Sequence, residues 1–209
     1  MARTLADAAR RLKAGRCHRV PAAWLVSDPA RLPDPVPPLA RMPRGAGLIW
    51  RPYGLPRDEA LAQGRRLRRL TRARGIVLLV AGDWRLAAAV GADGLHQPEG
   101  LARHGVLAPA LGWAQRRTLS VACHGPRALA RARAQGASMA VLSPVFPTAS
   151  HPGAATLGPL RFALMSRRAG LPVVALGGIT AASARHLPPG STAGLAAVSG
   201  WAHPNQSSK

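Results

Sequence analysis

Short apolar runs alternate along the chain with segments whose apolar residues recur every three or four positions. The runs Ala23–Ser27, Gly47–Arg51, Ile76–Val80, Gly94–His96, Leu119–Cys123, Met139–Ser143, Pro172–Leu176 and Gly194–Val198 are short, apolar and bounded by turn residues. That pattern predicts strands buried on both faces. Between them, helical spacing covers Pro56–Arg74, Trp84–Val90, Pro126–Gln135, Thr156–Ala169 and Ala181–His186. The first of these opens with Pro56 and the acids Asp58 and Glu59, where the helix dipole favours negative charge, and Gly75 ends it. No strand pair is joined by a hairpin turn, so the expected sheet is parallel, and eight strands in order favour a (β/α)8 TIM barrel. It is a short barrel. Met1–Gly15 reads as an extra N-terminal helix, and the Pro-rich Leu32–Pro43 as an irregular first βα connection. Residues 1–203 are expected to form one barrel domain, with 204–209 a disordered tail.

Composition changes the picture mainly through charge. The 209 residues carry 29 Lys+Arg against 8 Asp+Glu, a formal net charge of +21, with 47% apolar residues. The apolar share supports a real core and excludes a core-less disordered chain. Such a charge invites a nucleic-acid reading, but only Lys13 and Lys209 are lysines. In the densest run, Arg65–Arg74, the residues Leu61, Gly64, Leu67 and Leu70 keep helical spacing. A solvated outer helix face is therefore expected, and no nucleic-acid partner. Two cysteines, Cys17 and Cys123, exclude a disulfide scaffold. The charged start of the chain does not read as a signal peptide, and no apolar run reaches membrane-spanning length. A cytoplasmic protein without membrane contact is expected.

In a barrel of this kind the chemistry gathers at the C-terminal ends of the strands. The residues just past each strand are Asp28, Arg51 and Tyr53, Gly82 and Asp83, His96, His124, Ser143, Gly177 and Gly178, and Ser199 and Gly200. Gly177-Gly178 and Ser199-Gly200 could bring backbone N–H groups close to a phosphate, or serve only as turns. His124 could exchange a proton near neutral pH, or simply cap its turn. Cys123, one residue along the strand, should face the helices and act as packing. Arg51 offers the fork geometry that suits a carboxylate. No metal-ligand spacing, P-loop or Ser-His-Asp arrangement is present.

The motifs Val121-Ala-Cys-His124, Leu142–Thr148, Ser150–Ala154, Leu157-Gly158 and Pro172–Thr180 resemble the thiamine phosphate synthase superfamily. They resemble most its TenI branch, the thiazole tautomerases, as does Ala92–His96 followed by Pro98–Leu101. The resemblance runs from about Ala23 to Trp201 and implies a (β/α)8 barrel handling a thiazole phosphate in thiamine biosynthesis. It implies His124 as the catalytic residue, Gly177, Gly178, Ser199 and Gly200 as phosphate-binding turns, and Ser143 to Thr148 as pocket wall. The synthases hold Mg2+ with carboxylates. Here Gly82 stands where they place a metal-binding aspartate, His151 replaces a lysine, and Glu99 only neighbours the second carboxylate position. Of the synthases' second-strand pattern only Arg51 is kept.

A thiazole tautomerase acting through His124 is thus the leading expectation, with no metal and no cofactor. One alternative is a thiamine phosphate synthase with a rearranged Mg2+ site; the other is a non-catalytic barrel that binds a phosphate ligand. The expected partners are a small phosphorylated thiazole and, through homo-oligomer formation, further copies of the chain. No roles are assigned to His96, His151, Asp83 and Glu99.

Overall fold

A computed structural model describes residues 4–13, 20–103, 112–113, 117–148, 153 and 155–201. Eight parallel strands pair in sequence order and close into a barrel, β8 against β1. They are β1 (Ala23–Val26), β2 (Gly47–Trp50), β3 (Val77–Ala81), β4 (Gly94–Gln97), β5 (Thr118–Cys123), β6 (Met139–Leu142), β7 (Val173–Ala175) and β8 (Gly194–Ala197). The outer layer holds α1 (Leu5–Leu12), α2 (Val36–Arg41), α3 (Arg57–Arg74), α4 (Trp84–Val90), α5 (Glu99–Arg103), α6 (Pro126–Ala134) and α7 (Gly158–Arg168). A single 3-10 turn, Ser183–His186, follows β7.

Strand alternation divides the buried side chains between two cores. Trp24, Val26, Ile49, Leu79, Val141 and Val174 fill the barrel. Leu25, Leu48, Leu78, Val80, Ala140 and Leu195 pack outward under the helices. Each fully buried leucine or valine contributes about 1.5–3 kcal/mol relative to exposure. The Trp24 ring takes the space a side chain at Gly47 would need, and its Nε1 donates to the Pro21 carbonyl at 2.8 Å.

Three elements depart from the sequence pattern. The Pro-rich first connection, expected to be irregular, contains the six-residue α2. Prolines in its first turn remove N–H groups that would have no helical partner anyway. In α3 the buried residues are Ala60, Gly64, Leu67 and Thr71, while Leu70 is exposed. The face is rotated because Gly64 seats against Trp50 and Val90: a Cβ there would lie 2.7 Å from Val90 Cγ1 and 2.9 Å from Trp50 Cζ3. The helix expected over Ala181–His186 tightens to the 3-10 turn, where Ser183 Oγ donates to the Gly178 carbonyl at 2.7 Å.

The added N-terminal helix occurs as α1, capped by Thr4 and Asp7 in a reciprocal capping box. Leu5, Ala8, Ala9 and Leu12 are buried, and α1 packs on β8, β1 and the Ser183–His186 turn. It occupies the outer layer at the seam where the last strand meets the first. The expected tail, 204–209, lies outside the described residues. No helix among the described residues is long and apolar enough to cross a membrane.

Candidate functional site

His124 follows directly on β5, and Ser143 on β6, the neighbouring strand. The His124 Nδ1 lies 2.8 Å from the Ser143 carbonyl oxygen, and the Ser143 hydroxyl is 3.4 Å from the same nitrogen. A carbonyl can only accept, so Nδ1 carries the hydrogen and Nε2 is the nitrogen left to take a proton. Nε2 stands 3.8 Å from Glu99 Oε2. The Glu99 side chain is buried at the start of α5, and its Oε1 accepts from Arg131 Nη2 of α6 at 3.2 Å. Glu99, His124, Arg127 and Arg131 line one cavity of about 560 Å3. Arg131, which charge counting alone would leave on a solvated face, is thus part of the site. Glu99, Arg131 and the cavity they line are what sequence reasoning missed. The only signal was a glutamate just past β4, beside the strand that carries His124.

The glycine turns meet the Ser143–Thr148 segment. Gly177 and Gly178 follow β7 with φ of 96° and 61°. The chain runs so close that a Cβ on Gly177 would lie 2.7 Å from Pro144 Cα, and one on Gly178 2.8 Å from Phe146 Cβ. Backbone bonds lock this contact: Val145 N donates to the Leu176 carbonyl at 2.9 Å, and Phe146 N to the Gly177 carbonyl at 3.0 Å. Gly200, past β8, packs on the next residues of the same turn; its Cβ would lie 2.7 Å from the Ile179 carbonyl oxygen. His124, Ser143, Gly177, Gly178 and Gly200 therefore form one continuous arc over the ends of β5 to β8. Ser199 is exposed and Thr148 half-buried at its margins. His151 lies outside the described residues.

Arg51 lies on the opposite side of the mouth, past β2, four strands around from β6. Its backbone N–H donates to Ser27 Oγ at 2.7 Å. Burial lowers its pKa, with Tyr53 and Asp28 acting against that shift, and a guanidinium stays charged all the same. His96 is fully buried with Nδ1 3.0 Å from Ser120 Oγ. Burial, reinforced by Arg51, pushes its pKa down to about 3. It is therefore neutral at physiological pH and does not serve as an acid. Cys123 is buried in the outer core, and burial pushes its thiol up to about 12. It is packing, not a nucleophile.

The carboxylates near the mouth do not gather into the rearranged Mg2+ site expected with the synthase alternative. Asp28 accepts from Arg31 at 3.1 Å. Asp83 accepts from Leu86 N at 2.8 Å, capping α4, and from Arg57 at 2.9 Å. Glu99 holds Arg131. These three sit past β1, β3 and β4, each committed to its own arginine. No three His, Cys, Asp or Glu side chains gather among the described residues. A magnesium ion needs near-octahedral oxygen ligation, and this donor set does not converge to provide it.

The family profile described as thiamine monophosphate synthase matches residues 43–201. The chain is 37% identical over 145 residues to a thiamine-phosphate synthase of Methylococcus capsulatus, covering 67% of this chain and 62% of that protein. It is 36% identical over 159 residues to one of Bordetella avium, covering 70% and 69%. The first of these matches thus spans under two thirds of the relative's length. In fold, the chain superposes on a thiamine phosphate pyrophosphorylase of Pyrococcus furiosus with a TM-score of 0.72 and 24% identity, over 91% of this chain and 87% of that one. The resemblance read from the motifs holds at the level of the family, while the relatives carry the synthase name and not that of the tautomerase branch. The chain belongs to the thiamine monophosphate synthase family.

Proposed function

We propose that the chain is a cytoplasmic thiamine-biosynthetic enzyme that binds a phosphorylated thiazole, and that its reaction is the one its relatives are named for. That reaction joins the thiazole phosphate to a pyrimidine diphosphate with release of pyrophosphate. The observation that carries this reading is the family match over residues 43–201, which takes in every strand end from β2 to β8. In this reading the thiazole phosphate lies on the turns at Gly177, Gly178, Ser199 and Gly200, walled by Ser143 and Thr148. Arg51 faces it from across the mouth and supplies positive charge to an anionic partner. The test is to incubate the protein with both substrates, with and without Mg2+, and to follow pyrophosphate release. No release above background under either condition would sink the condensation.

A second reading, the thiazole tautomerase, is favoured by His124. Its Nδ1 is held by the Ser143 carbonyl and the residue lines a cavity, which suits a base that moves one proton while the thiazole ring becomes aromatic. This reading needs no metal, in keeping with carboxylates that are already paired with arginines. Aromatisation of a dihydrothiazole carboxylate phosphate, lost in His124→Ala, supports it; no aromatisation overturns it. Binding without turnover in both assays is the outcome expected of the non-catalytic alternative.

A further inference from the structure

The charges of this molecule are sorted along the barrel axis, and all eight aspartates and glutamates lie among the described residues. Asp28, Asp34, Asp58, Glu59, Asp83 and Glu99 sit between the C-terminal end of a strand and the first turn of the next helix, on the mouth side. Asp7 stands in the first turn of α1, the end where Leu5 meets Gly200 past β8. Only Asp93, one residue before β4, belongs to the opposite face. It is already committed, since Arg68 Nη1 and the Leu78 N–H each donate to its Oδ2 at 2.8 Å. That face carries Arg44 in the loop before β2, and Arg72, Arg133, Arg167 and Arg168 in the last turns of α3, α6 and α7. All five are exposed, and none is ion-paired with a carboxylate. Arg133 lies across the Gly170 backbone, where a Cβ would be 2.7 Å from its Nη1. It thereby joins Arg167 and Arg168 at the end of α7.

We infer that this face docks on the phosphodiester backbone of a nucleic-acid duplex. A helix dipole favours a cation at each C-terminal end, yet it does not require carboxylates to be absent. Guanidiniums meet phosphate oxygens with two parallel hydrogen bonds. A protein partner would need an apolar centre to the interface, and a membrane surface an apolar anchor. The exposed large apolar side chains, Tyr53, Leu55, Leu70, Leu160 and Leu164, all lie outside the loops and last helical turns of this face. A single strand would need aromatic platforms for its bases, and Tyr53, at the mouth, is the one exposed aromatic residue among those described. Recognition here works through charge alone, which a duplex backbone supplies at regular spacing. Counted along the sequence, the charge reads as a solvated helix face with no nucleic-acid partner; sorted by face, it reads as a docking surface. The inference does not rest on the reading at His124, which lies at the other end of the barrel.

The test follows the anisotropy of a fluorescein-labelled DNA duplex titrated with the full chain. Five phosphate contacts predict an affinity that falls about 500-fold between about 50 and about 200 mM NaCl. Arg133→Gln combined with Arg167→Gln and Arg168→Gln should weaken binding at low salt and cut that fall to about 12-fold. Arg65→Gln combined with Arg66→Gln and Arg69→Gln removes the same charge from the outer side of α3, and should leave the fall nearly unchanged. If the first variant loses the wild-type circular dichroism spectrum, Arg44→Gln with Arg72→Gln replaces it, with an expected fall of about 40-fold. Equal effects of the two sets of substitutions, which net charge alone would produce, overturn the inference, as does a duplex that stays unbound at low salt. Poly-glutamate or phosphatidylserine vesicles that displace the labelled duplex more effectively than unlabelled duplex overturn it as well, because the partner is then an acidic protein or a membrane.

Discussion

The His124 ring is held by the main chain of the neighbouring strand end: its Nδ1 donates to the Ser143 carbonyl at 2.8 Å. A backbone acceptor cannot titrate or be mutated away, so the tautomer is built into the barrel rather than left to a side chain. His124→Ala should lower kcat about 10²–10⁴-fold in whichever of the two assays registers turnover. Glu99→Gln keeps the shape but weakens the charge-assisted bond to Arg131 and leaves Nε2 facing an amide. A fall in kcat of about tenfold with KM little changed is expected. Full activity in Glu99→Gln would reduce Glu99 to a packing residue.

Acid should weaken this fold through His96. The buried ring resists protonation until about pH 3, whereas in the unfolded chain it protonates near 6.5. Between those values the unfolded state binds the extra proton, so stability falls as pH drops. From pH 6.5 to 5 the loss attributable to this residue is about 2 kcal/mol. Urea unfolding at both pH values should show that loss in the wild type, and His96→Gln should remove most of it. An equal pH dependence in the variant would place the acid sensitivity elsewhere.

Gly178→Ala should destabilise by about 1–3 kcal/mol, since the new methyl meets Phe146 and the Pro147 carbonyl while the backbone is left-handed. Gly190→Ala has the same left-handed backbone but open space around its Cβ, and should cost only about 1 kcal/mol. Thermal melts separate the two, at about 2–4 °C per kcal/mol for a chain of this size. Equal shifts would mean that the β6–β7 loop contact gives way easily.

Cys123 should be inert in the native protein. With its thiol pushed up to about 12 and no solvent exposure, only about one molecule in 10⁴ carries a thiolate at pH 8. In a Cys17→Ser background, labelling by a thiol reagent should keep pace with global unfolding. Rapid labelling in native buffer would contradict the outward packing of this side chain.

Much of the barrel was legible because doubly buried strands must be short apolar runs, and β5 illustrates how far that goes. The alternation of Cys123 and His124 sorts one to the outer core and the other to the mouth, and both are found there. What was not legible depends on contacts between distant residues. Glu99 and Arg131 lie 32 positions apart and meet only because α5 and α6 flank the same strand. Leu70, expected on the inner face, is exposed and Thr71 is buried in its stead, because the Trp50 ring fixes how close Gly64 can approach.

The position of α1 has a consequence for the order of assembly. α1 precedes all eight strands yet has its seat on β8, the eighth of them, with Leu5 3.2 Å from the Cβ position of Gly200 and Lys13 in a β-bridge with Thr192. β1 offers part of that seat early, but the seat is complete only once β8 and the Ser183–His186 turn have been made. Contacts of such long sequence separation are slow to form, so docking of this helix belongs at the end of folding, as the latch on a ring that has already closed.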